Sequence, residues 1–502
     1  MTRAVAGFDP IPSRRTAAGL SIDVASAVPD AATAIAVPVG TAGDVPDRLG
    51  LSRPALTAAG FTGAVGQALP IPGDIAPEHV AVGIGEGAPL DAAALRDAGA
   101  AFARATYRHA RIAVAVPGDP GVDAQAAAQA IVEGILLARY RYRAFRDRPA
   151  ETPLETLTLV VDPVGHDAVA EGARRGRITA EATQLARDLA NTPPMHLSAP
   201  RMAEVAQVLG AQAGLEVETF DNEALVALGC GGLLGVNAGS AEEARMIRLT
   251  YRPPGAPTGR LALVGKGIMY DAGGISLKPS DALHFAMKLD MSGAAAILGA
   301  MLTLRDLGCQ AEVTGYLMCT DNMPSGTAMR LGDVLTIHGG KTVEVFNTDA
   351  EGRLVMADAI VLAAEQGVDA IVTIATLTGA AMRTFGDAYA AMMGNSDDLV
   401  GQLTRAGERA DEPVWRLPLV QRYRRWLDSP IADIRNLGGE NAGSITAGLF
   451  LEAFTDGVPF GHLDICGPMM TATDDSWRSV GATAFGTRLL IELALDFRTP
   501  AA

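Results

Sequence analysis

LALVGKGIMYDAGG, residues Leu261–Gly274, decides how the chain is read. Its first part, Leu261–Ile268, is near-continuously apolar and predicts a strand with both faces covered, as at the centre of a parallel sheet. That strand carries Lys266, and beyond it the segment carries Asp271 and turns Gly-rich. Working outward, Ser292–Leu307 predicts a helix, AEVTGYLM (Ala311–Met318) a strand, Leu354–Glu365 a helix, and AIVTIATLTG (Ala370–Gly379) another buried strand. Upstream, strands are predicted near SIDVASAV (Ser21–Val28), AIAVPV (Ala34–Val39), VAVGI (Val80–Ile84), RIAVAV (Arg111–Val116) and TLTLVV (Thr156–Val161), with helices near Leu90–His109 and Val122–Phe145. This alternation is the pattern of an α/β chain whose sheets are mainly parallel and flanked by helices.

At roughly 100–200 residues per domain, 502 residues imply more than one domain. A long helical pattern from Asp167 to Ala190 stops at NTPP, Asn191–Pro194, and predicts a helix joining two domains. The alternative is that this helix belongs to the first domain alone. The expected division is an N-terminal α/β domain over 1–175 and a C-terminal one over 176–502.

The chain holds 57 acidic and 41 basic residues, a formal net charge of −16. That balance argues against a nucleic-acid grip and against attraction to an anionic membrane. No apolar run is long enough to span a bilayer, and the first residues lack a leader pattern. Cys230, Cys309, Cys319 and Cys466 are scattered, with no CxxC pair, and predict buried free thiols in a reducing compartment. A cytoplasmic protein is expected.

Three acidic segments carry the chemistry. VGKGIMYDAGGISLKPS (Val264–Ser280) holds Lys266, Asp271 and Lys278, but it lacks the GxxxxGK[ST] form of a phosphate loop. In MKLDMSGAAA (Met287–Ala296), Asp290 precedes a helix start, where a carboxylate could also serve as a cap. In NTDAEGRL (Asn347–Leu354), Asp349, Glu351 and Arg353 recur at a spacing of two, which in extended chain puts them on one side. A solvated surface is the alternative reading, yet the flanks TVEVF and LVMADAIVLAA are apolar enough for burial. Four carboxylates converging at the edge of a core repel one another unless cations sit between them.

VGKGIMYDAGG, ISLKPS, MKLDMSGAAA and above all NTDAEGRL closely resemble the leucyl aminopeptidase family, dinuclear metallo-exopeptidases also called cytosol aminopeptidases. The resemblance continues through DNMPSGTAMRLGDV, ATLTGA, ADIRNLGGENAGSITAGLFLEAF and HLDICGPM, so it covers Asn191 to the C-terminus. The N-terminal third is similar in length and α/β character only. The resemblance implies that Asp271 and Glu351 bridge two divalent ions, Mn²⁺ or Zn²⁺ with Mg²⁺ also compatible. Asp349 completes one site, and Lys266 with Asp290 the other. It further implies Lys278 and Arg353 as non-ligand catalytic groups, with a bicarbonate ion at Arg353. Met287, Thr376, Leu377 and Gly379 would line the substrate pockets. The substrates implied are short peptides with a free N-terminus, cut by a metal-bridged water, and the assembly implied is a homohexamer. The N-terminal domain then serves assembly and access.

Met269, Tyr270, Ala272, Leu289, Ser292 and Cys466 depart from the commoner pattern, and none is a ligand position. Cys466 bears on the pocket for the first side chain. Rival readings are a dinuclear phosphoesterase, which would usually add His ligands, and a DNA-binding or scaffolding role resting on a patch such as Arg422–Arg425. No GxSxG or HExxH motif is present, and no histidine has ligand spacing.

Overall fold

A six-stranded sheet forms the N-terminal part, in the order Ser21–Ala25, Thr156–Val160, Arg111–Ala115, Ala34–Val39, Glu78–Gly83 and Ala68–Ile71. These features come from a computed structural model described over residues 7–73, 77–86, 90–117, 121–146 and 152–501. Every pair is parallel except the last, where Ala68–Ile71 runs antiparallel at the edge. Pro70, which has no N–H to donate, lies in that edge strand, where one side needs no partner. The helices Ala92–Ala105 and Ala124–Arg139 start at Asp91 and Asp123, whose carboxylates accept the N–H of Ala94 (2.8 Å) and Ala126 (2.7 Å). The two helices approach closely because a Cβ on Gly134 would collide with the Arg96 carbonyl. Arg96 and Glu133, both buried, pair across them at 2.9 Å.

This unit comprises Ile11–Gln184 together with Thr471–Gly481. The returning segment is fastened inside it. Arg104 donates to the carbonyls of Ser476 and Arg478 at 2.7 and 2.8 Å, and Trp477 is buried in the same core as Phe102 and Ile131.

The second unit holds Leu185–Met470 and Ala482–Ala502 with the described residues 7–10. Its main sheet has eight strands, in the order Val414–Arg416, Ala390–Gly394, Phe460–Asp464, Ala370–Ala375, Arg260–Asp271, Glu312–Asn322, Arg245–Tyr251 and Glu216–Phe220. Arg260–Asp271 is central and almost wholly buried, as its apolar run predicts. The four strands at the centre are mutually parallel, so they end on one edge of the sheet. That edge therefore gathers Asp271, Asn322, Thr376 and Asp464, at the carboxyl ends where open α/β sheets take their ligands.

Some elements differ from the sequence reading. Glu216–Phe220 and Arg245–Tyr251 extend the sheet antiparallel. The helix expected over Ser292–Leu307 ends at Met301, where i→i−3 bonds such as Thr303 N–H to Ala300 O tighten the chain into turns. All four cysteines are free and buried. Burial pushes the thiols of Cys230, Cys319 and Cys466 up to about 12, which makes them inert. Among the described residues no helix is long and apolar enough to cross a membrane.

Candidate metal centre

Lys266 and Asp271 are five positions apart on one strand, a spacing that in regular pleat points them to opposite faces. The ladder corrects this. Ile268 pairs with Thr320 and Asp271 with Asn322, so the strand holds one extra residue at Met269–Tyr270 and bulges there. Bulges beside functional sites commonly re-aim a side chain.

Asp290 follows the short 3₁₀ turn Ala286–Leu289. It does not cap the helix Ser292–Met301, whose start has no side-chain cap; its Oδ1 instead accepts the Thr376 hydroxyl at 2.7 Å. Asp349 and Glu351 do not lie in extended chain. Asn347 Oδ1 accepts the Asp349 N–H at 2.7 Å and closes a turn, and Glu351 already has helical φ and ψ ahead of the helix Gly352–Glu365. They converge because a turn runs straight into a helix start, not because side chains alternate. Asn436 fixes that turn, donating to Asn347 O (2.7 Å) and Ala350 O (3.2 Å) and accepting the Phe346 N–H (2.8 Å).

Oxygens of Asp271, Asp290 and Glu351 lie within 4.8 Å of one another, all three residues buried. Lys266 Nζ sits 2.8 Å from Asp290 Oδ2, 2.7 Å from Glu351 Oε1 and 3.0 Å from Thr376 O. Lys278 Nζ bridges Asp271 (2.9 Å) and Asp349 (2.5 Å), and so ties Asp349 to the cluster. Asn322 Nδ2 faces Asp271 Oδ1 at 2.9 Å, Thr348 O at 3.0 Å and Glu351 Oε2 at 3.4 Å. Gly352 leaves room for Lys266, since a Cβ there would stand 2.6–2.8 Å from its Cδ, Cε and Nζ.

Burial, reinforced by neighbouring acids, pushes the carboxyl of Asp290 up to about 7 and that of Glu351 up to about 8, and raises Asp349. Burial also opposes the charge on Lys266 and Lys278, but the carboxylates outweigh it and hold both ammonium groups above the usual lysine range. Asp290 Oδ2, Asp349 Oδ1 and Glu351 Oε1 are buried, and the lysine ammonium groups are the partners that reach them. Buried acceptor-only oxygens clustered on a rigid sheet edge fit a hard divalent cation.

The other expected residues lie close by. Met287 is buried in the 3₁₀ turn before Asp290, and Thr376 touches Asp290 directly. Leu377 follows it, and Gly379 opens the helix Gly379–Phe385. Arg353, on the first turn of the helix after Glu351, donates to Asn436 O at 2.9 Å, while its buried Nε has no partner. Burial pushes its guanidinium down to about 10. Asn322, Asn436 and Asp464 had no role in the sequence reading. Asp464 accepts the N–H groups of Leu377 (3.2 Å) and Thr378 (3.3 Å) and the Thr378 hydroxyl (2.6 Å), which fixes the loop carrying Thr376. HLDICGPM and ADIRNLGGEN had already marked the segments holding Asp464 and Asn436, but not these roles.

Residues 184–491 match the model of the cytosol aminopeptidase family's catalytic domain, and 44–149 that of its N-terminal domain. This chain belongs to the cytosol aminopeptidase family. The membership extends into the N-terminal third, where no short motif signalled it. A probable cytosol aminopeptidase of Streptomyces avermitilis is 42% identical over 453 residues, covering 87% of each chain. One of Synechococcus is 40% identical over 438 residues, 85% of this chain and 86% of the relative. Among solved structures, the bottromycin maturation enzyme BotP in complex with Mn superposes with a TM-score of 0.84 at 38% identity, covering 92% of this chain and 99% of BotP.

Proposed function

We propose that this cytosol aminopeptidase family member is a dinuclear metallo-aminopeptidase that removes the first residue from short peptides with a free N-terminus. One observation carries the reading: buried carboxylates converge with two lysines at the carboxyl edge of the sheet. Asp271 and Glu351 would bridge two divalent ions, with Asp349 completing one site and Lys266 and Asp290 the other. Such ions, when bound, supply Lewis-acid polarisation and a water that ionises near neutral pH.

The remaining work falls to the chain. Lys266 can offer a lone pair only after giving up its proton. Lys278, kept protonated by Asp271 and Asp349, directs positive charge at the oxyanion that develops on the scissile carbonyl. Arg353, with a buried N–H unclaimed, would hold a small anion such as bicarbonate, which would supply a proton-transfer group when bound. Met287, Thr376, Leu377 and Gly379 would shape the pockets for the substrate side chains. In this reading residues 1–175 serve assembly and access, 176–502 the chemistry, and the chain works in the cytoplasm as a homohexamer without nucleic-acid or membrane partners.

The test pairs metal analysis with a panel of amino-acyl anilides, assayed against nitrophenyl phosphate with added Mn²⁺. About two ions per chain and cleavage of the anilides are expected. Turnover of the phosphate alone would establish a phosphoesterase instead.

A further inference from the structure

The helix Gly379–Phe385 starts three residues after Thr376, whose hydroxyl donates to the carboxylate of Asp290 at 2.7 Å. Asp464 and the residues just after it hold this helix at both ends. Asp464 accepts the hydroxyl of Thr378 (2.6 Å), the residue before the helix. Past the other end Gly467 abuts Gly386, where an added Cβ would collide with the Gly386 carbonyl. On the inner side Ala381 and Phe385, four residues apart, join Ala391 and Met393 in a small apolar core. Gly379 and Arg383 are also four residues apart, and they share the opposite side of the helix.

Arg383 folds back along that side. A Cβ on Gly379 would stand 3.3 Å from its Nη1 and 3.8 Å from its Cζ and Nη2, so the guanidinium lies over the place a side chain at 379 would take. Arg383 is exposed, and among the described residues it makes no hydrogen bond or ion pair. The chain has 57 acidic residues, so this arginine is not unpaired for want of acids. Asp387, the acid nearest to it in sequence, forms no ion pair with it. Every N–H of the guanidinium is therefore uncommitted, beside a glycine of the proposed substrate pocket. A guanidinium in that condition takes a carboxylate through two parallel hydrogen bonds.

We propose that Arg383 is a specificity-determining residue that pairs with a carboxylate of the peptide substrate, so that acidic peptides are preferred over their amide counterparts. The inference rests on the peptidase reading and on Gly379 lining a substrate pocket. Two sources offer the same group: an acidic first side chain, and the terminal carboxylate of a dipeptide. A neutral residue at 383 would give neither an advantage.

Steady-state kinetics of the full-length, metal-loaded protein test this with two pairs of peptides. α-Glutamyl-glycyl-glycine against glutaminyl-glycyl-glycine isolates the side-chain carboxylate, and leucylglycine against leucylglycine amide the terminal one. In at least one pair kcat/KM should favour the acid by about tenfold or more, the usual weight of a hydrogen bond between charged groups. Arg383→Gln should remove that preference and Arg383→Glu should reverse it, which the loss of a merely structural arginine would not do. The side chain is exposed, so both variants should fold. Leucyl anilide reports on the peptidase reading by itself. If the natural chain cleaves it but prefers the acid in neither pair, the role of Arg383 is overturned and the peptidase reading stands. A preference that survives in Arg383→Gln overturns the role as well. If the natural chain cleaves none of these substrates, both readings fall.

Discussion

A single amide group of Asn322 serves three acceptors on two of the acidic segments, Asp271, Thr348 and Glu351. Groups that hold ligands from behind commonly change metal affinity by about 10–100-fold when removed. Asn322→Ala should lower divalent-ion affinity by that order, read by competition with a chelating dye, while the circular dichroism spectrum stays native. Glu351 and Lys278 should separate cleanly. Glu351→Ala should abolish peptidase activity and reduce bound metal, and retained turnover at normal metal content would remove Glu351 from the ligands. Lys278→Ala should keep the metal and lose about 10²–10³ in kcat, the usual effect of deleting one oxyanion donor.

Elements bring these residues together by means that side-chain chemistry does not announce. NTDAEGRL could be recognised as a motif, and the strand through Lys266 was legible from its apolar run. The bulge at Met269–Tyr270 was not, because it depends on pairing with Glu312–Asn322, far along the chain. The turn at Asn347 was likewise misread as extended. The spacing of Asp349, Glu351 and Arg353 fits a strand, and the bonds from Asn436 that force the turn come from a remote segment. The helix Gly352–Glu365 offers a test of how tightly element and site are joined. Gly352→Ala favours the helix by up to about 1 kcal/mol, which offsets part of the roughly 1–3 kcal/mol that overpacking a buried site costs. The added Cβ intrudes on Lys266, so kcat/KM should fall at least about tenfold. Normal activity in this variant would show that Lys266 needs no fixed position.

For the molecule as a whole, titration of Asp321 should mark the acid limb of stability. Burial, opposed by the Ser240 hydroxyl and assisted by Glu242, pushes its carboxyl up to about 6 from an ordinary 3.8. Protonation therefore favours the fold. That contribution is complete below about pH 4 and is lost as pH rises through about 6. Asp321→Asn should gain on the natural chain across that window, by up to about 3 kcal/mol, and the difference should level off above it. Chemical denaturation from pH 4 to 7 measures it, and a constant difference would contradict the assignment. Trp477→Ala should cost about 3–5 kcal/mol through the cavity it leaves in the N-terminal core, read from the same denaturation curves.

That tryptophan also sets a schedule. The N-terminal sheet leaves the ribosome well before Thr471–Gly481, because Leu185–Met470 lies between them in the sequence. At about 5–20 residues per second, the first unit waits roughly 15–60 s for its last piece. During that interval its core lacks an aromatic side chain, and Arg104 and Arg141 lack Asp474. The nascent chain therefore has to be guarded against premature association until Gly481 has emerged, and Ile11–Gln184 cannot be inherited or exchanged as a self-sufficient cassette.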